Sequence, residues 1–206
     1  MRAKSVLIGV LAGMLALSGC TAGGALPTSS LAYGGLTDAG FRIPPVPIYK
    51  VDQRLRRQTV AYATDEAPGT IIVDTGAKFL YYVLGDGQAM RYGIGVGKAG
   101  FEWHGTAHVA RKREWPDWSA PSQMIVRERN RGHIIPAHME GGLMNPLGAR
   151  ALYLFNEKGD TGYRLHGSPE WWSIGKAVSA GCIRLMNQDI IDLYDRAEIG
   201  TKVIVI

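Results

Sequence analysis

Residues 69–97 read GTIIVDTGAKFLYYVLGDGQAMRYGIGVG, and this stretch decides the fold class. GTIIVDT, KFLYYVL and AMRYGIGVG are short runs of β-branched and aromatic side chains, and the turn formers GA and GDGQ separate them. Such runs, punctuated by glycine and aspartate, predict strands laid out as a meander. GTAHVARKREW (105–115) continues the pattern, and the two-residue strand period puts Thr106, His108 and Ala110 on one face and Ala107, Val109 and Arg111 on the other. RALYLF (150–155) and YRLHGS (163–168) read as two more strands joined through NEKGDTG as a hairpin loop, so His166 falls at or near a strand end.

One segment breaks the strand rhythm. In QDIIDLYDRA (188–197) the residues Ile190, Ile191, Leu193, Tyr194 and Ala197 recur at helical spacing, Asn187 is a candidate N-cap and Asp189 sits in the first turn. Gly200 ends the turn that follows, and KVIVI closes the chain as a buried strand. The expected architecture is mainly β with one late helix, organised as a single domain over residues 68–206.

Upstream, residues 1–20 read MRAKSVLIGVLAGMLALSGC, with Arg2 and Lys4 ahead of an apolar run from Val6 to Leu17. That run is shorter than the ~20 residues a membrane span needs, so residues 1–19 read as a secretory signal. The ending LSGC resembles a bacterial lipobox, which implies cleavage before Cys20 and diacylglycerol on its thiol. Each buried acyl methylene adds about 0.8 kcal/mol of membrane affinity, and several chains anchor firmly. Residues 20–67 are rich in Gly, Ser, Thr, Ala and Pro at their start and read as a flexible tether. The formal charge is +5, and removing Arg2 and Lys4 leaves +3, a mild excess that an anionic wall or lipid surface could attract. No interleaving of basic and aromatic residues marks a nucleic-acid binder.

With Cys20 assigned to lipid, Cys182 has no partner for an intramolecular disulfide and is a free thiol outside the cytoplasm. It is either a small buried hydrophobe or a nucleophile. A nucleophile needs a base, and His166 lies 16 residues before it, enough chain to leave a strand, loop through GSPEWWSIGKAV and return. A backbone carbonyl at Gly167 or Ser168 could fix the imidazole tautomer, and the amides of Gly181 and Cys182 are candidate oxyanion donors. Cys182 also precedes the helix, whose dipole would favour thiolate if the two lie close.

The stretch HGSPEWWSIGKAVSAGCIRL resembles the signature of the L,D-transpeptidases of the YkuD domain family: a histidine and glycine, a loop, then Ser/Thr-x-Gly-Cys-apolar-Arg/Asn. GTIIVDTGAKFLYYV, YGIGVG, EWPDW and NPLGARALYL extend the likeness over residues 68–206. The resemblance implies a YkuD-like β-sandwich of mixed sheets with its catalytic groove at one side. It implies attack by the Cys182 thiolate on the L-centre carbonyl of a diaminoacyl residue in a peptidoglycan tetrapeptide stem, with release of D-alanine and His166 carrying the proton. An amine on a neighbouring stem then takes the thioester, giving a 3→3 cross-link, or water or another amine, including one on an envelope protein, takes it. No cofactor or metal is implied. Arg184 fits the pattern as a carboxylate contact, with a structural ion pair as the alternative. Ser179 reads as a loop hydrogen-bonding residue that could also touch substrate. Ala180 departs from the family, many of whose members carry histidine there.

Other residues attract weaker readings. His104 and His108 have a helical metal spacing in a strand context without a third ligand; His133 and His138 lie in a Pro- and Gly-punctuated loop at the expected groove rim. Trp171 and Trp172 read as packing or as a lid. Within the same thiol chemistry a hydrolytic L,D-carboxypeptidase or amidase is the alternative, and a non-catalytic wall-binding lipoprotein is the third class. Thr21 lacks the aspartate associated with inner-membrane retention, which points to a periplasm-facing lipoprotein of the outer membrane.

Overall fold

The structure is a computed structural model in which residues 26–27, 30–98, 103–179 and 181–206 are described. The segment expected to be a signal, Cys20 and Ala180 therefore lie outside the described residues. Among the described residues, ten strands join in one mixed sheet: β1 (Leu26–Pro27), β2 (Gln58–Ala61), β3 (Ile71–Asp74), β4 (Phe79–Gly85), β5 (Gln88–Gly93), β6 (Gly105–Glu114), β7 (Arg150–Asn156), β8 (Gly159–Ser168), β9 (Ile183–Met186) and β10 (Lys202–Val205). Their spatial order is β1-β2-β5-β4-β3-β10-β6-β7-β8-β9. β3 with β10 and β8 with β9 are parallel, and the other neighbours antiparallel.

The meander forms as the sequence predicts. Between β4 and β5 the turn residues Asp86 and Gly87 both take positive φ, +51° and +68°, the hand that matches strand twist in a two-residue hairpin. Beyond β5 the chain meets the far end of the sheet. Gly95 exchanges both backbone hydrogen bonds with Arg184, at 2.9 and 2.8 Å, so the sheet folds over upon itself. A Cβ on Gly95 would stand 2.8 Å from the Ser173 carbonyl oxygen, too close for any other residue at this crossing. The folded sheet encloses one core in which Ile71, Leu80, Val109, Leu152 and Leu165 have no exposed surface. Each such side chain contributes roughly 1.5–3 kcal/mol by leaving water. Helix α2 (Asn187–Arg196) closes that core with Ile190 and Leu193.

Four local expectations are corrected. A second helix, α1 (Ser122–Asn130), follows Pro121; none of its residues is buried, so it carries no apolar stripe to read. Asn187 does not cap α2: Met186 holds the N-cap position without a side-chain bond, and Asn187 Oδ1 accepts from the Ala149 amide at 2.9 Å. From Ser30 onward the segment expected to be tether is built into the molecule. Tyr33 is buried, β2 extends the sheet beside β5, and Asp38, on a hairpin of Leu36–Asp38 and Phe41–Ile43, grips Arg150 with both oxygens at 2.7 and 2.8 Å. Composition could not reveal this docking, because it rests on a few apolar side chains and charge pairs that each find a specific slot.

The fourth correction concerns β6. Leu154 pairs with Val109 but the adjacent Tyr153 pairs with Arg111, so Ala110 is the extra residue of a β-bulge. Val109 thus faces the core and Arg111 faces the opposite side with Tyr153, against the strict alternation expected.

Candidate active site

The last two strands of the sheet place the chemistry. On β8, Leu165 is buried in the core, so its neighbours Arg164 and His166 emerge on the other face. On β9, Ile183 and Leu185 do the same, which sends Arg184 and, one residue before the strand, Cys182 to that face. The parallel register sets His166 beside Arg184. His166, Cys182, Arg184, Arg164 and Ser179 line one groove of about 910 Å³.

His166 is 3% exposed, and its Nδ1 lies 2.6 Å from the Gly167 carbonyl oxygen. A carbonyl only accepts, so Nδ1 carries the hydrogen and Nε2 is the ring's acceptor. Burial, with the Arg184 and Arg164 guanidiniums nearby, lowers the His166 pKa to about 4, although the Gly167 bond acts the other way. Cys182 is partly exposed at the groove. Burial of its sulfur nevertheless pushes the thiol above its ordinary value, against a backbone hydrogen bond from Arg164 and the two guanidiniums. At neutral pH the pair is therefore thiol and neutral imidazole. The helix dipole does not reverse this: all of β9 lies between Cys182 and α2, roughly 13 Å of extended chain.

The other candidate residues sort by their bonds. The Gly181 amide donates to Ser179 Oγ at 3.2 Å, so it is occupied, which leaves the Cys182 amide as the candidate of the two for an oxyanion. Ser179 Oγ in turn donates to the Cys182 carbonyl at 2.6 Å; the hydroxyl ties the turn that presents the thiol. Gly181 has φ +125°, a backbone conformation that side chains disfavour, which explains glycine before the cysteine. Ser168 Oγ accepts from the Glu170 amide at 3.1 Å and shapes the turn after β8. Arg184 Nη1 pairs with Glu170 at 2.8 Å.

Of the weaker candidates, His133 lines the groove and faces Glu128 at 3.3 Å, whereas His138 lies in a short strand with Nδ1 3.4 Å from Ser119 Oγ. Trp171 packs against the cluster around Tyr33, and Trp172 is 52% exposed. Sequence reading missed Arg164, Tyr153 and Arg111, which share the groove; alternation with buried leucines puts the first two there, whereas the bulge that aims Arg111 leaves no mark on residue periodicity.

Residues 68–205 match the family model of the YkuD L,D-transpeptidase catalytic domain. The chain belongs to this family. Among relatives of this YkuD-domain chain, the probable L,D-transpeptidase ErfK/SrfK of Escherichia coli (strain K12) is 36% identical over 141 residues, and the probable L,D-transpeptidase YbiS of the same strain is 33% identical over 139. Each alignment covers 66% of this chain but 43% of the relative, so the chain matches less than half the length of these proteins. A crystal structure from Brucella melitensis, named a probable carnitine operon oxidoreductase caia, is 44% identical with a TM-score of 0.50, covering 78% of this chain and 99% of that one.

Proposed function

We propose that this YkuD-family chain is a cysteine acyltransferase of the cell wall, an L,D-transpeptidase acting on peptidoglycan tetrapeptide stems, with residues 68–206 as its catalytic domain. The observation that carries the reading is the placement of Cys182 and a tautomer-fixed His166 in one groove. The reaction follows from that placement. Sγ bonds to the L-centre carbonyl carbon while its proton passes to Nε2 of His166, and the Cys182 amide takes the oxyanion. Collapse breaks the C–N bond, Nε2–H protonates the departing D-alanine amine, and a thioester remains. A side-chain amine of a second stem then attacks the thioester, loses its proton to Nε2, and the new amide restores the thiol. The energy of the broken peptide bond is kept in the thioester, so no cofactor enters the scheme. Because thiol and imidazole are neutral at rest, His166 acts as a general base during attack rather than as half of a standing ion pair.

The same reading assigns residues 1–19 as a signal peptide and Cys20 as a lipid attachment site holding the enzyme to the envelope, facing the periplasm from the outer membrane. Its support is the apolar run, the LSGC ending and Thr21. The test is incubation of the purified chain with a disaccharide tetrapeptide and product analysis by mass spectrometry beside Cys182→Ala. A 3→3 dimer with free D-alanine, absent in the variant, is expected. Tripeptide without dimer would replace transfer by hydrolysis, and unchanged substrate would contradict acyl transfer altogether.

A further inference from the structure

Three strands of the groove floor carry a row of side chains that the acyl-transfer scheme leaves unused. Tyr153 on β7 is in register with Arg111 on β6 and with Arg164 on β8. The bulge at Ala110 turns Arg111 onto the face of Tyr153, and alternation with the buried Leu165 puts Arg164 there. The Arg111 guanidinium stacks 3.9 Å from the Tyr153 ring centre and that of Arg164 4.5 Å from it. The two cations are not equivalent. Asp160 takes Arg164 in a two-pronged pair at 2.7 and 2.8 Å, and the Arg164 side chain is 17% exposed. Arg111 is exposed, lines the groove and has no carboxylate within ion-pair distance among the described residues, although its charge is felt by Asp160. A guanidinium held over a ring by its charge keeps N–H donors for a further partner, and its fork suits both oxygens of a carboxylate.

The rest of the groove favours an anion. Lys98, Arg111, Arg127, Arg131, Arg164 and Arg184 line it against the carboxylates of Asp117, Glu128 and Glu170. Those carboxylates are engaged: Asp117 accepts from the Gly141 amide, Glu128 from Arg127 and Arg131, and Glu170 from Arg184. Strand β7, whose Tyr153 ring the Arg111 guanidinium overlies, is two strand spacings from β9, roughly 10 Å, the span of about three extended residues.

We infer that Arg111, stacked on Tyr153, is a specificity-determining residue that binds a free carboxylate on the part of the stem peptide retained after D-alanine leaves. The distance excludes the D-alanine carboxylate, which lies within one residue of the reacting carbonyl. The inference rests on the proposed stem-peptide substrate, and it makes the enzyme discriminate stems with free carboxylates from stems whose carboxylates are amidated.

The experiment uses the full chain carrying Cys182→Ala, so that binding is read without turnover, titrated with a synthetic tetrapeptide stem and with the same peptide amidated on its retained carboxylates. The free-carboxylate stem is expected to bind about tenfold tighter, the loss typical of one charge-assisted contact. Adding Arg111→Gln should erase that ratio by weakening only the free-carboxylate stem, and Arg111→Lys should keep part of it. A merely structural role for Arg111 would shift both affinities together. Equal affinity for the two stems, a ratio that survives Arg111→Gln, or no binding of either peptide overturns the inference. D-alanine release by the Cys182 protein is measured in parallel. Discrimination without release would sink the acyl-transfer reading and leave the carboxylate site standing, and release without discrimination would do the reverse.

Discussion

At the scale of single residues, the electrostatics of His166 have a measurable consequence. In the proposed acyl transfer the neutral imidazole is the active form, and its pKa is lowered to about 4 from an ordinary value near 6.5. D-alanine release, followed as kcat/KM against pH on protein shown to stay folded, is expected to hold level from pH 8 to about pH 5 and to fall only as pH drops toward 4. A limb centred near pH 6.5 would mean that the imidazole is more hydrated than its 3% exposure implies. Spacing alone left Cys182 open between nucleophile and buried hydrophobe, and the resemblance of HGSPEWWSIGKAVSAGCIRL to the YkuD signature favoured the pair that the fold brings to one groove. What was not legible was which atoms are already taken. Gly181 carries an amide bound to Ser179, and Arg111 leaves the face its alternation assigns because Ala110 is bulged. Neither effect leaves a trace in the order of residue types.

At the scale of elements, α2 is held to the N-terminal segment by a buried carboxyl. Asp189 is fully buried; its Oδ2 accepts from Tyr33 at 3.2 Å, and its Oδ1 faces Arg57 Nε at 3.9 Å without a hydrogen-bond partner. Burial pushes its pKa up to about 7, helped by the nearby Asp192 charge and resisted by Arg57 and Tyr33. The folded state therefore holds a proton that the unfolded chain releases near pH 4, and this group's contribution to stability falls as pH rises from about 4 to about 7. Asp189→Asn removes that ionisation. Thermal unfolding of the two proteins is expected to diverge in the variant's favour across this interval and to run parallel above it. Parallel behaviour from pH 4 upward would place an ionised Asp189 in the folded protein at all these values. The helix itself was readable from its apolar spacing, whereas the bond from the Ala149 amide to Asn187 required the strand β7 entry to be in place. Helix α1 was missed because a surface helix with no buried residue has nothing for periodicity to detect.

At the scale of the molecule, most of the mainly β fold could be read from its meander, its late hairpin and its closing strand. The closure of the sheet through Gly95 and Arg184 could not, since it joins residues 89 positions apart by backbone hydrogen bonds alone. That closure sets β9 across the end of the first half of the sheet and gives Cys182 its place beside β8. The docking of residues 30–61 was equally hidden, being the sum of Tyr33, Asp38 and β2 finding separate partners. Together these closures bring Cys182 and His166 to one groove of about 910 Å³. The most direct measurement is rapid acid quench of the chain mixed with a tetrapeptide stem, followed by intact mass and peptide mapping. The account predicts a transient mass increase equal to the stem less D-alanine, carried by the Cys182 peptide and absent from Cys182→Ala. D-alanine release with no adduct at Cys182, or release that persists in Cys182→Ala, would contradict it.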